Sequence, residues 1–311
     1  MKLFYITLSL IVSIALYSCS PVENKNGEIL LLLKTLDNPF FLEIQRGVTY
    51  ETSKKYPTYK LSVKSGKYES DTETQRRILE SYISAKKDVL KGVIITPSGS
   101  QSELVRQIKK LNDLNIPVIL VDTNIDSESL SKAGAHYSYY VGSDNFYGGQ
   151  LAGEYLSNHL SKGDNVLIIN GPNNHETAIK RRYGFVNALN KQVKIIERTA
   201  NWRKDEARKS VSSLISSGEG IDAIFAANDN MALGAIEAFR TIGRDKPLPL
   251  IVGFDAIDDA VKAIDDGKLS ATIKQQPYKM GVKAIQLLFE EKESEYNKME
   301  MIKLELVRKD R

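Results

Sequence analysis

The stretch Glu28-Ile29-Leu30-Leu31-Leu32-Leu33, followed by Lys34-Thr35-Leu36-Asp37-Asn38-Pro39-Phe40-Phe41, decides how this chain is built. An unbroken aliphatic run suits a strand covered on both faces of a parallel sheet, whereas a half-exposed strand would alternate with polar residues. The polar tail turns the chain, and Pro39 fits the first position of a following helix. The adjacent aromatics Phe40 and Phe41 cannot both face one core, so at least one is expected in a cleft. Comparable apolar runs recur at 93–96, 117–121, 166–170, 223–227 and 250–253. Helical stretches lie between them. Ser70-x-x-Glu73 and Ser98-x-x-Gln101 read as capping boxes that start two of these helices. Pro277 opens the last long helix, in which Met280, Ala284 and Leu288 share one face. Helices inserted between buried strands imply right-handed βαβ units and an α/β fold of doubly wound parallel sheets. A chain of 311 residues has room for two such units at about 150 residues per domain.

Composition removes several functional classes. Hydrophobic residues make up 42%, too many for a disordered chain. The 43 basic and 39 acidic residues are interspersed and leave no nucleic-acid footprint. One cysteine excludes an internal disulfide or a Cys-rich metal site. His136, His159 and His175 lack the i, i+3 or i, i+4 spacing of a metal centre, so no metal and no cofactor is expected. His175 reads as a solvated or capping residue. No G-x-G-x-x-G follows a strand, and neither G-x-x-x-x-G-K-[ST] nor a G-x-S-x-G elbow occurs. Asp122 and Asp255 have no nucleophile or metal beside them, and no catalytic residue is assigned.

The amino terminus reads as a targeting segment. Lys2 precedes an uncharged, mostly apolar run over residues 3–17, shorter than the ~20 residues of a spanning helix. Leu16-Tyr17-Ser18-Cys19 resembles the bacterial lipobox, in which the cysteine is lipidated and becomes the new N-terminus. That resemblance implies a signal peptide over residues 1–18 and a lipidated Cys19 with a polar tether over 19–26, the alternative being an ordinary secretory signal with an incidental cysteine. The protein is expected to be exported and membrane-anchored, in the periplasm or on the cell surface.

In open α/β sheets ligands bind beyond the carboxyl ends of the strands. Those ends carry aromatics, amides and carboxylates: Asn38-Pro39-Phe40-Phe41, Val121-Asp122-Thr123, Asn201-Trp202, Asn228-Asp229, Phe254-Asp255 and Lys274-Gln275. This chemistry suits a sugar. The C–H face of the ring stacks on an aromatic, and each hydroxyl needs a donor and an acceptor. Taken singly, Asn228 and Asp255 also fit helix caps, Trp202 a surface aromatic, and Lys34 a solvated strand-end lysine.

Thr35-Leu36-Asp37-Asn38-Pro39-Phe40-Phe41, Asn228-Asp229-Asn230-Met231-Ala232-Leu233-Gly234-Ala235 and Val252-Gly253-Phe254-Asp255 resemble, in order and spacing, the type I periplasmic binding protein family, in its ribose-binding branch. The resemblance runs from about Ile29 to the C-terminus. It implies two lobes joined by a hinge of three crossovers, with lobe one at 27–143 plus 276–304 and lobe two at 144–275 plus 305–311. It places Asn38, Phe40, Phe41 and Asp122 in the ligand site from the first lobe, and Trp202, Asn228, Phe254, Asp255 and Gln275 from the second. Three positions depart from the family. Thr123 stands where an arginine is common, Ile179 aligns with a second arginine, and Lys34 replaces a small polar residue. Lys34 and Thr123 therefore join the candidate site, and a monosaccharide or polyol other than ribose is expected, an anionic sugar being one version. The implied role is a monomeric substrate-binding lipoprotein that hands its sugar to an ABC importer permease. A subunit presenting the sugar to a membrane histidine kinase is the alternative.

Overall fold

The computed structural model describes residues 26–99, 102–190, 192–242, 247–290 and 295–309. The signal peptide and Cys19 lie outside them. The first sheet is built from β1 (Glu28–Leu33), β2 (Lys60–Ser65), β3 (Leu90–Ile95), β4 (Val118–Val121), β5 (Tyr139–Gly142) and a returning strand, β11 (Lys298–Met301). Its spatial order is β11-β5-β4-β3-β1-β2, and all its pairings are parallel. The helices α1 (Pro39–Lys55), α2 (Thr72–Ala85), α3 (Val105–Asp113) and α4 (Ser127–Ala133) connect these strands, and α10 (Pro277–Leu288) packs beside α1.

The second sheet repeats the plan with β6 (Asn165–Asn170), β7 (Lys194–Thr199), β8 (Ala223–Ala226), β9 (Leu250–Asp255), β10 (Ala271–Lys274) and β12 (Glu305–Arg308). Its order is β12-β10-β9-β8-β6-β7, with only the β10–β12 pair antiparallel. The helices α5 (Asn145–Ser157), α6 (Glu176–Ala188), α7 (Lys204–Ser216), α8 (Asp229–Thr241) and α9 (Asp258–Asp265) cover it. The chain passes between sheets after β5, after β10 and between β11 and β12, so three crossovers form the hinge.

The period of two explains why the aliphatic runs make central strands. In β1, Leu30 and Leu32 enter one core, whereas Ile29, Leu31 and Leu33 enter the core under α1 and α10. In β6, Leu167 and Ile169 face one core and Val166 and Ile168 the other. The edge strands β2 and β7 stay mostly accessible, and their mixed sequences KLSVKS and KIIERT hide them from a search for apolar runs. Pro39 and Pro277 open α1 and α10 as expected. The Ser70–Glu73 capping box does not form, and Gln101 of the second box lies outside the described residues. Asp71, not Ser70, caps α2 by accepting from the Thr74 N–H. Ser98 starts no helix: its N–H donates to Gln75 Oε1, and α3 begins at Val105.

Helices α5 and α6 approach closely because glycines face backbone. A Cβ on Gly149 would lie 2.1 Å from the Arg181 carbonyl oxygen. Gly149→Ala should therefore force the helices apart. Overpacking of this kind costs about 1–3 kcal/mol, so calorimetry should show a melting temperature lowered by several degrees and confined to the second lobe's transition. An unchanged melting temperature would mean the contact relaxes freely.

Candidate functional site

The carboxyl ends of both sheets meet across a cleft, and each lobe brings an ion pair to it. In the first lobe Lys34, just past β1, reaches Asp122, just past β4, at 2.8 Å. Lys34 Nζ also donates to Thr123 Oγ1 at 2.6 Å, and that hydroxyl donates to Asp122 Oδ2 at 2.9 Å. All three side chains are buried. Burial alone would raise the Asp122 pKa, but the charge and hydrogen bond of Lys34 outweigh it and hold the carboxyl below its usual range. Asp122 sits at φ 66°, a backbone conformation that side chains other than glycine adopt at a cost.

In the second lobe Arg181 lies 3.5 Å from Asp255. Its guanidinium donates to Asn145 Oδ1 at 2.8 Å and to the Ala227 carbonyl at 2.6 Å, and it rests 3.7 Å from the centroid of Phe254. Asp255, at φ 114°, accepts from Gln275 Nε2 at 2.8 Å. Burial raises its pKa to about 6, against the pull of Arg181. Its neighbour Asp229 is pushed well up by burial and by Asp255, and its oxygens accept from Thr272 and from the Ile257 N–H. Asp229 is therefore a structural residue of the hinge side.

Between the pairs lies a pocket of only ≈ 20 Å³, so the lobes are closed on each other. It opens toward a mouth of ≈ 1030 Å³ between the lobe rims. Lys34, Asn38, Phe40, Phe41, Asp122, Trp202, Asn228 and Asp255 all line the pocket. Thr123, Phe254 and Gln275 stand one layer behind, where they hold Lys34, Arg181 and Asp255 respectively. Phe254 belongs to the second lobe's core, with no accessible surface.

Phe40, Phe41, Arg181 and His175 differ from the expectations above, and Asn38 and Asn228 take a second role. Phe40 and Phe41 share a single core cluster after all, because their rings meet edge to face at 5.3 Å, and both still reach the pocket. Asn38 and Asn228 each spend the side-chain oxygen on a helix cap, to the Phe40 and Met231 N–H groups, leaving their amide hydrogens for other partners. Arg181, not Ile179, lines the pocket and supplies the second lobe's guanidinium, so that cation is present. His175 does stand at the N-cap of α6, but it is buried, not solvated, and its side chain makes no capping bond: its Nδ1 lies 3.1 Å from the Trp202 indole nitrogen, which donates to it. Burial and the charge of Lys34 lower its pKa to about 4. Trp202 itself is buried at φ 65° and packs on the backbone at Gly171, where a Cβ would lie 2.3 Å from the indole. Glu69 and Thr177 also line the pocket and were not singled out by their sequence context.

Two lobes closing on a polar, charge-paired pocket at their strand ends define a bilobal solute-binding protein. The chain belongs to the periplasmic binding protein domain family, whose model matches residues 29–295. It is 33% identical over 290 residues to the D-ribose/D-allose-binding protein of Pseudomonas aeruginosa, covering 89% of this chain and 88% of that protein. It is 30% identical to the ribose import binding protein RbsB of Bacillus subtilis, over 83% of this chain and 79% of that one. Among solved structures it resembles an ABC transporter periplasmic solute binding protein of Actinobacillus succinogenes with bound D-allose. That match has a TM-score of 0.80 and 30% identity, covering 91% of this chain and 97% of that one. A solute binding protein of Bacillus halodurans with bound myo-inositol matches with a TM-score of 0.78 at 27% identity, over 92% and 96% of the two chains.

Two outcomes follow from the electrostatics. Lys34→Met strands a buried carboxylate and should cost about 3–5 kcal/mol at pH 7. Asp122, whose folded pKa is depressed, contributes stability above pH 3.8 that is lost as pH falls through its folded value. The cost of Lys34→Met should therefore shrink only below pH 3.8, and adding Asp122→Asn should recover much of it; denaturant melts at pH 7 and pH 2.5 check both. Trp202 is the single tryptophan, so its fluorescence reports His175. Its pH titration should break near 4 instead of near 6.5, and a midpoint near 6.5 would show a solvated imidazole.

Proposed function

We propose that this chain captures a neutral monosaccharide or related polyol between its closing lobes and delivers it to an ABC sugar importer. In this reading the protein is exported, held at the membrane by a lipid on Cys19, and acts as a monomer. One observation carries the neutral form: Lys34 and Arg181 each already face a carboxylate of their own lobe, at 2.8 and 3.5 Å. An anionic sugar would have to compete with Asp122 and Asp255 for both cations. A neutral polyol instead uses what the pairs leave over. Each carboxylate has spare lone pairs, Asn38 and Asn228 have amide hydrogens, and Lys34 and Arg181 have remaining N–H groups for hydroxyl oxygens. The rings of Phe41 and Trp202 offer stacking faces. The ribose, allose and inositol in the names of the relatives and of the solved complexes are of this chemical class.

The pocket as closed is smaller than any sugar, so binding requires the lobes to open and re-close around the ligand, with the hinge crossovers taking up the motion. For a ligand of about a dozen heavy atoms, micromolar or tighter affinity lies within ordinary ligand efficiency.

The test is a titration of the chain from Ser20 onward, followed by Trp202 fluorescence and melting temperature. The ligands are neutral pentoses, hexoses and polyols, then sugar acids and sugar phosphates. A saturable response to a neutral sugar is expected, and Arg181→Ala should weaken it by about tenfold to a hundredfold, as for lost hydrogen bonds to a charged group. A response to sugar acids or phosphates alone would overturn the neutral reading. No response to any of them, with the melting temperature unmoved, would overturn the sugar reading.

A further inference from the structure

Among the described residues, three carboxyls line the pocket but only two cations do. Asp122 faces Lys34 and Asp255 faces Arg181, whereas Glu69 has neither. Glu69 stands in the loop between β2 and α2, half-buried, and its Oε1 accepts from Asn38 Nδ2 at 2.9 Å. No hydrogen-bond or ion-pair partner is described for Oε2. With Asn38 and Trp202, Glu69 lines both the pocket and the mouth, so it forms the partition between them.

The groups around it do not supply a cation. Within the pocket the net effect of Lys34, Arg181, Asp122 and Asp255 is two closed pairs, and His175 is neutral near pH 7. On the first lobe's side the mouth adds Asp37, Asp71, Glu73 and Glu103, all acidic. On the second lobe's side Arg203, Lys204 and Lys209 are tied to Asp205, Glu237 and Asp205 in turn. An unpaired carboxylate facing two others is relieved by taking a proton. Burial, with repulsion from Asp255 and Asp122, raises the Glu69 pKa to about 7 despite the opposing effects of Lys34 and Asn38.

We propose that Glu69 is a specificity-determining residue of the pocket that acts as a neutral carboxylic acid, with Oε2–H donating to an oxygen of an uncharged sugar on its mouth side. This rests on the sugar reading above. A protonated carboxyl is both donor and acceptor, which matches a hydroxyl, while Asn38 fixes its other oxygen. A ligand carrying an ammonium group would be the opposite solution, because it would select the carboxylate.

The experiment is a titration of the mature protein with D-ribose, D-allose, D-glucose and D-glucosamine at pH 6 and pH 8.5, on wild type, Glu69→Gln and Glu69→Ala. Melting temperatures serve as a folding check. For the neutral sugar that binds best, wild-type affinity should fall at least tenfold from pH 6 to pH 8.5. Glu69→Gln, which mimics the neutral acid, should keep the pH 6 affinity within about threefold and flatten the profile. Glu69→Ala should weaken binding at least tenfold at pH 6. The inference is overturned if Glu69→Gln keeps the wild-type pH dependence, if Glu69→Ala binds as wild type does, or if D-glucosamine, an ammonium at pH 6, is preferred to D-glucose tenfold at that pH. Each of these failures leaves sugar binding itself standing. Absence of binding of every sugar by wild type at both pH values overturns the sugar reading and this inference together.

Discussion

The pocket depends on charge neutralised inside each lobe before the lobes meet. Every hydrogen bond described for Lys34 and Asp122 stays within the first lobe, and every one for Arg181 and Asp255 stays within the second. Burying an unpaired ion costs several kcal/mol, so neither lobe could close over water-stripped charge unless its own partner were already in place. The same pairing leaves both lobes stable apart, since opening breaks neither pair. What remains unfilled after pairing is a set of directional hydrogen-bonding sites, and these are what a ligand can complete.

The strand ends are where the fold stores strain. Asp122, Asn201, Trp202 and Asp255 all have positive φ. Such conformations cost of order 1 kcal/mol or more each and persist only where surrounding structure over-determines them. Here the causes are visible: Lys34 and Thr123 hold Asp122, Gln275 and Arg181 hold Asp255, and His175 with the Gly171 backbone holds Trp202. The pocket therefore approaches its binding geometry before a ligand arrives, which reduces the ordering cost of binding.

Central strands were legible in the sequence because a strand buried on both faces must be aliphatic throughout, as β1 and β6 are. The edge strands β2 and β7 were not, since only one side of each meets a core and charged residues are tolerated there. Motif residues at strand ends were legible as members of the pocket, but their division of labour was not. Phe254, Thr123 and Gln275 act through the residues they hold, which depends on side-chain direction in three dimensions. Arg181 was not legible because two residues along a helix change the face, and only the packing of α6 on α5 settles which side chain enters the pocket. Glu69 escaped because its loop has no pattern beyond a polar turn; its role comes from which residues it meets, not from its neighbours in the chain. The Ser70 capping box failed for a related reason: Asp71 offered the Thr74 N–H a better-placed acceptor than Ser70.

The close contact of α5 and α6 also constrains how this protein can change over evolutionary time. Gly149 meets the Arg181 carbonyl, and Asn145, the first residue of α5 after a crossover, receives the Arg181 guanidinium. The second lobe's cation is thus locked at both its backbone and its tip by the helix that leaves the hinge. Moving it would disturb the joint as well as the grip. In the first lobe Lys34, Glu69 and Thr123 stand in loops at strand ends, while Asp122 is tied to β5, the strand that leads into a crossover. Variation in ligand preference has its more open route at those loops, where a side chain can change without moving a helix that leaves the hinge.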